Sequence, residues 1–173
     1  QGDWSSDVCS SDLKENIKKY SIDNVKLIIE PGRAIVARSG VAIYTIGGIK
    51  EIPNLRKYVS VDGGMADNIR PALYGSKYSL FSVNKASLPH DEIVTIAGKY
   101  CETGDKLVEN VALPMPESND LIAIPVSGAY NFSMSSNYNV SLRPAIILIK
   151  SNGDLNILRR RETYDDILKL SGI

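Results

Sequence analysis

Val25-Lys26-Leu27-Ile28-Ile29-Glu30-Pro31-Gly32-Arg33 divides the chain into two textures. Val25 to Ile29 is a compact apolar run interrupted only by Lys26, and Glu30-Pro31-Gly32 stops it abruptly. A short run bounded by turn residues predicts a buried strand. On its N-terminal side, Lys14 to Tyr20 is short and basic, like the end of a helix. Helix then strand is the order of an α/β unit, and such a pair cannot bury two faces by itself. Residues 14–32 therefore read as the last piece of a larger α/β layer whose remainder would lie N-terminal to it.

After Arg33 the character changes. Ala34–Val36, Val41–Ile46, Tyr58–Val61, Ile93–Ala97, Leu121–Ile124 and Ala145–Ile149 are rich in β-branched and aliphatic residues, with Gly, Pro, Asn or Asp between them. Short strands at that spacing, with few helical patterns among them, predict an all-β barrel or sandwich over 33–173. Asn152-Gly153-Asp154 marks a hairpin between Ile146–Lys150 and Leu155–Arg159. Thr163 to Leu170 predicts a closing helix, with Thr163 as N-cap, acids in its first turn and Gly172 beyond its end. The expected fold class is mainly β: a C-terminal β domain preceded by a helix–strand remnant. Residues 1–13, rich in Ser and Asp and without a regular period, read as a foreign leader. The alternative is a genuine helix start with Ser10 or Ser11 as N-cap.

Composition narrows the function classes. In 173 residues, 20 Lys plus Arg balance 20 Asp plus Glu, so no net field favours nucleic acid or an anionic membrane. The one dense charge run, Arg159-Arg160-Arg161-Glu162, is followed by Asp165 and Asp166 and reads as a solvated helix entry. No apolar stretch reaches the roughly 18 residues that span a bilayer. Two cysteines, Cys9 and Cys101, form no disulfide framework, and a cytoplasmic setting is expected. One His and no Cys-x-x-Cys give no metal-ligand set.

Four segments carry possible chemistry, each beside a plainer reading. Glu30-Pro31-Gly32-Arg33 follows a strand end; Gly32 allows close backbone approach, and Arg33 offers a planar fork to a carboxylate or phosphate. A Pro-Gly turn with a solvated Arg is the alternative. In Asp62-Gly63-Gly64-Met65-Ala66-Asp67-Asn68-Ile69-Arg70-Pro71-Ala72-Leu73-Tyr74, a short helix would put Arg70 and Tyr74 on one face, with Pro71 at its entry. An ordinary strand–loop connection is the alternative. Tyr100-Cys101-Glu102-Thr103-Gly104-Asp105 places a thiol among polar residues, where it serves either as an acid or nucleophile or as a small buried hydrophobe. The loop around Ser127-Gly128-Ala129-Tyr130-Asn131, which also carries Met134 and Tyr138, offers phenol hydroxyls to a ligand or an aromatic lid to the core.

In this order the four segments resemble the C-terminal half of the diaminopimelate decarboxylases, within the ornithine, arginine and diaminopimelate decarboxylases with an alanine-racemase-like barrel. The likeness runs over about residues 14–170. It implies that 14–32 is the end of a truncated (β/α)8 barrel binding pyridoxal 5'-phosphate (PLP), with the covalent lysine outside this chain. It implies that Glu30, Gly32, Arg33 and Tyr130 contact the cofactor, and that Arg33, Arg70, Tyr74, Glu102 and Tyr130 bind an amino-acid substrate with two carboxylates. Cys101 would be the catalytic proton donor, reaching the partner's active site across a homodimer. Glu102 in place of Asp after that Cys implies diaminopimelate rather than ornithine. Two departures stand beside these residues: Gly75-Ser76-Lys77 where the family has Ala-x-His, and Leu142-Arg143-Pro144 with one Arg of an expected two. The chain alone is expected to be inactive. A related ornithine, arginine or lysine decarboxylase, or a non-catalytic dimerising β domain, remain the alternatives.

Overall fold

The computed structural model describes residues 6–22, 24, 26, 28 and 30–169. Helix α1 (Ser6–Lys19) starts inside the expected leader and runs unbroken through Leu13, so Ser10 and Ser11 lie within it rather than at its cap. Lys18 and Lys19 occupy its last turn, where cations suit the helix dipole. Of the strand expected over Val25–Ile29, Val25, Leu27 and Ile29 lie outside the described residues, and Lys26 and Ile28 carry no regular structure.

Directly after Arg33 the backbone departs from the expected strand. Ala34–Val36 is not a strand; it belongs to a helical turn, α2 (Arg33–Val36), continued by a 3₁₀ turn at Ala37–Ser39. The reason is a tertiary contact that overrides β propensity. Ser127 N donates to Gly40 O at 2.9 Å and Gly128 N donates to Ala37 O at 3.0 Å. A Cβ on Gly128 would stand 2.0 Å from the Val36 carbonyl oxygen, so only glycine permits this approach.

The domain's main element is a six-stranded, barrel-like sheet. Its strands are β1 (Ala42–Ile52), β2 (Arg56–Val61), β3 (Phe81–Ser82), β4 (Glu92–Ala97), β5 (Lys106–Leu113) and β6 (Leu121–Ile124). Their spatial order is β3-β6-β1-β2-β4-β5. β1 and β2 form a hairpin through Asn54 (φ 60°), in register Ile52 to Arg56. The hairpin register shifts between Ile46 and Ile49, where Gly48 N and O both bond to Ser60 Oγ. β2 pairs with β4 in parallel, Lys57 opposite Val94 and Ser60 opposite Ala97; all other pairings are antiparallel. A parallel pair needs a long crossover, and here the intervening residues 62–91 carry α3 (Arg70–Tyr74) and β3. The core between the strands is aliphatic, with Val59, Val94, Ile96, Leu107, Leu113, Ile122 and Ile124 nearly inaccessible and Tyr44 packed among them.

β3 and β5 were not expected. β3 is two residues long, and β5 is interrupted by exposed Glu109 and Asn110, the latter at φ 52°, which breaks the alternation. The predicted hairpin is present as a separate two-stranded sheet, β7 (Ile146–Ile149) and β8 (Leu155–Arg159), turning at Gly153 (φ 89°). It leaves Ile149, Leu155 and Ile157 widely exposed. Helix α4 (Tyr164–Leu168) has Thr163 at its N-cap, with Asp166 Oδ2 accepting from Thr163 N at 2.9 Å. Leu170, the expected helix end, lies outside the described residues. Among the described residues no helix is long and apolar enough to cross a membrane.

Candidate functional site

Arg33 opens α2 and Arg70 opens α3, and both guanidinium groups lie against one ring. Arg33 Cζ is 5.2 Å and Arg70 Cζ 5.3 Å from the Tyr130 centroid. Arg70 Cζ is also 4.9 Å from the Tyr74 centroid, the same-face relation expected four residues apart on a helix. Pro71 sits in the first turn and Gly75 (φ 62°) closes α3, which fixes Arg70 at its entry. Tyr130 is held at φ 65°, an uncommon conformation for a side-chain-bearing residue, two residues beyond the Gly128 contact. Its hydroxyl stands above Gly32, where a Cβ would come within 2.9 Å.

Two positive groups on one ring repel each other, and the ring attracts each by only about 0.5–2 kcal/mol. Among the described residues neither arginine forms an ion pair. Among the described residues Arg33 Nη2 and Arg70 Nε, both buried, have no hydrogen-bond partner, and neither do the amide nitrogens of neighbouring Asn68 and Asn131. Among the described residues Arg70 Nη1 meets the Met134 sulfur alone, at 3.9 Å. Unmet guanidinium donors beside one ring suit an anionic ligand, and the planar forks suit carboxylate or phosphate. Glu30, by contrast, is exposed.

The loops around the arginines are joined by Asp105. It is 3% exposed and accepts from Met65 N at 2.6 Å and Tyr100 N at 2.8 Å. Its backbone carbonyl takes Gly98 N at 2.9 Å, and Lys99 N reaches Gly63 O at 3.0 Å. The turn leading to Arg70 and the loop carrying Cys101 and Glu102 are thus stitched together. Gly64, at φ 156°, and Gly98 leave room for this carboxylate. Burial raises the pKa of Asp105, against the two N–H groups that lower it; burial likewise raises that of Asp67, which accepts from Gly64 N at 2.9 Å. Asp105 stands in the sequence only as a polar neighbour of Cys101, and nothing in its spacing marks it as a bracket.

Cys101 is an exposed free thiol. Glu102 accepts a short hydrogen bond from the Tyr138 hydroxyl, and Tyr138 stacks edge-on against Tyr100 with centroids 5.6 Å apart. That bond raises the Tyr138 pKa, because a carboxylate opposes a phenolate. The structure therefore brings together Gly32, Arg33, Arg70, Tyr74 and Tyr130, while Cys101 and Glu102 form a second group beside Tyr138. Among the described residues no three His, Cys, Asp or Glu side chains gather as a metal site would require. The first group fits the anionic parts of PLP and of an amino acid through its unpartnered donors. It contributes no lysine for a covalent link.

The chain matches the family model described as the pyridoxal-dependent decarboxylase C-terminal sheet domain over residues 9–128. It is 48% identical over 158 residues to the diaminopimelate decarboxylase of Bacillus subtilis, covering 91% of this chain and 36% of that protein. It is 48% identical over 151 residues to the diaminopimelate decarboxylase of Synechocystis, covering 87% of this chain and 32% of that protein. Among solved structures, the diaminopimelate decarboxylase of M. jannaschii in complex with L-lysine superposes with a TM-score of 0.79 at 34% identity, over 95% of this chain and 37% of that one. The chain thus spans about a third of the length of the proteins it matches.

Proposed function

Because the chain belongs to the pyridoxal-dependent decarboxylases of the ornithine, diaminopimelate and arginine group, as their C-terminal sheet domain, we propose that it is the substrate-recognition part of a diaminopimelate decarboxylase. The reaction is meso-2,6-diaminopimelate to L-lysine and carbon dioxide. The observation that carries this reading is the pair of guanidinium groups on Tyr130 with unpartnered donors. A substrate with a carboxylate at each end has a use for two such forks.

In this reading Arg33 and Tyr130 face both cofactor and substrate, and Glu30 and Gly32 line the cofactor's phosphate side. Arg70 and Tyr74 hold the distal carboxylate, fixing one end while the other reacts. When bound, PLP would supply the electron sink for the pair that departing carbon dioxide leaves on the substrate's α-carbon. Cys101 delivers the Sγ proton that takes the place of the lost carboxylate, and Glu102 binds the distal ammonium. Both act in the site of a partner subunit, so the working unit is a homodimer with shared sites. The setting is the cytoplasm.

The test is lysine formation from meso-diaminopimelate by the full-length enzyme that carries this chain. Arg70→Gln should raise KM for diaminopimelate by about tenfold or more, the worth of a charge-assisted hydrogen bond. Equal turnover of ornithine, or an unchanged KM in Arg70→Gln, would refute the reading. The chain by itself should form no borohydride-reducible PLP–lysine adduct at a stoichiometric site; finding one overturns the assignment of that lysine to another part of the enzyme.

A further inference from the structure

Arg159-Arg160-Arg161-Glu162, legible in sequence only as a solvated run, ends in a carboxylate that faces the protein. The Glu162 side chain is 11% exposed. It accepts from Asn137 Nδ2 at 2.6 Å, from the Arg143 backbone N at 2.9 Å and from Arg159 Nη2 at 2.6 Å. Its own backbone N donates to Arg143 O at 3.2 Å. Arg159 is fixed in turn by the Phe132 ring, 4.8 Å from its Cζ.

The segment gripped this way cannot hold its shape alone. Asn139 (φ 51°) and Val140 (φ 60°) are both in the left-handed region, which is costly for a β-branched residue. Such backbone persists only where its surroundings over-determine it. Asn137 contributes to that, with Nδ2 donating to Ser141 O at 2.9 Å and Oδ1 accepting from Arg143 Nη2 at 3.4 Å. Inside the bracketed turn stands Tyr138, whose hydroxyl donates to Glu102.

We infer that Glu162 is a positioning residue: through Asn137 and Arg143 it fixes the strained 137–143 turn, which aims the Tyr138 hydroxyl at Glu102 and so orients the carboxylate that selects a distal ammonium. The inference rests on the reading above, in which Glu102 binds that ammonium. The role inferred for Tyr138 and Glu162 is exerted through Glu102.

The experiment uses the full-length enzyme and compares kcat/KM for meso-diaminopimelate with that for 2-aminopimelate, the same dicarboxylate without the distal amine. A general folding defect lowers both and leaves their ratio alone. Glu102→Gln should collapse the preference. Tyr138→Phe and Glu162→Gln should each lower it by about fivefold, through KM for diaminopimelate more than kcat, as expected for losing a hydrogen bond to a charged group. The double variant should be no worse than the worse single one, because the two act in series. Tyr138→Phe removes a single oxygen and keeps the test open should Glu162→Gln fold poorly. A preference lost in Glu102→Gln but intact in the other two overturns the inference alone. A preference intact in Glu102→Gln overturns the ammonium-binding role and the inference with it.

Discussion

Asp105 reaches across 40 positions to take the backbone N–H of Met65 at 2.6 Å. The same carboxylate takes Tyr100 N, so one buried group determines how two site loops lie against each other. Asp105→Ala leaves two N–H groups without acceptors and should destabilise the domain by about 3 kcal/mol. Asp105→Asn keeps one acceptor and should cost roughly half as much. Urea unfolding followed by circular dichroism measures both.

The acid response should be biphasic in origin. Asp105 and Asp67 have pKa values raised by burial, so the stability they contribute is full below the usual carboxylate range and is lost as pH rises through their folded values. For Glu162 burial works against ionisation but is outweighed by Arg143 N–H, Asn137 and Arg159, and its pKa is lowered. Asp166 is lowered by Arg160 and the Thr163 N–H. The stability these two contribute is present above the unfolded pKa and lost as pH falls through the folded values. Urea midpoints between pH 7 and pH 3 should show Glu162→Gln flattening the fall on the acid side. Asp105→Asn should instead remove a decline with rising pH.

Gly128→Ala should be far more damaging than Gly47→Ala. The first puts a Cβ 2.0 Å from a backbone carbonyl oxygen that cannot move without dragging α2; the second meets Ser60 Oγ at 3.5 Å, an ordinary contact. Overpacking costs about 1–3 kcal/mol or more, against roughly 1 kcal/mol or less for the control. Thermal midpoints should separate the two, and Gly128→Ala should also displace Tyr130.

Pimelate or inorganic phosphate, at constant ionic strength, should raise the thermal midpoint of the chain. Ten times the dissociation constant is worth about 1.4 kcal/mol. Arg33→Gln or Arg70→Gln should abolish the shift. An equal shift in the variants would place the anion elsewhere.

Local signals carried most of the strands and both closing elements. The runs around Val41–Ile46, Tyr58–Val61, Ile93–Ala97, Leu121–Ile124 and Ala145–Ile149 form strands as expected, the Asn-Gly-Asp turn makes its hairpin, and Thr163 caps α4. Arg70 and Tyr74 share a face because Pro71 and Gly75 set the ends of α3. What sequence could not reveal depends on distant partners. Ala34–Val36 has strand composition but turns helical against Gly128, 92 positions or more away. Asp105 and Glu162 look solvated until the backbone groups they serve, 40 and 19 residues off, are in place.

The parallel pairing of β2 with β4 has a consequence for synthesis. β1 and β2 can close their hairpin as soon as both have left the ribosome, but the outer edge of β2 has no partner until residue 97 has followed. For that interval a row of open N–H and C=O groups beside Tyr58 and Val59 is exposed, a template for pairing with another nascent chain. Overexpressed material should therefore be lost to aggregation chiefly by variants that delay the crossover, even where the finished domain is stable.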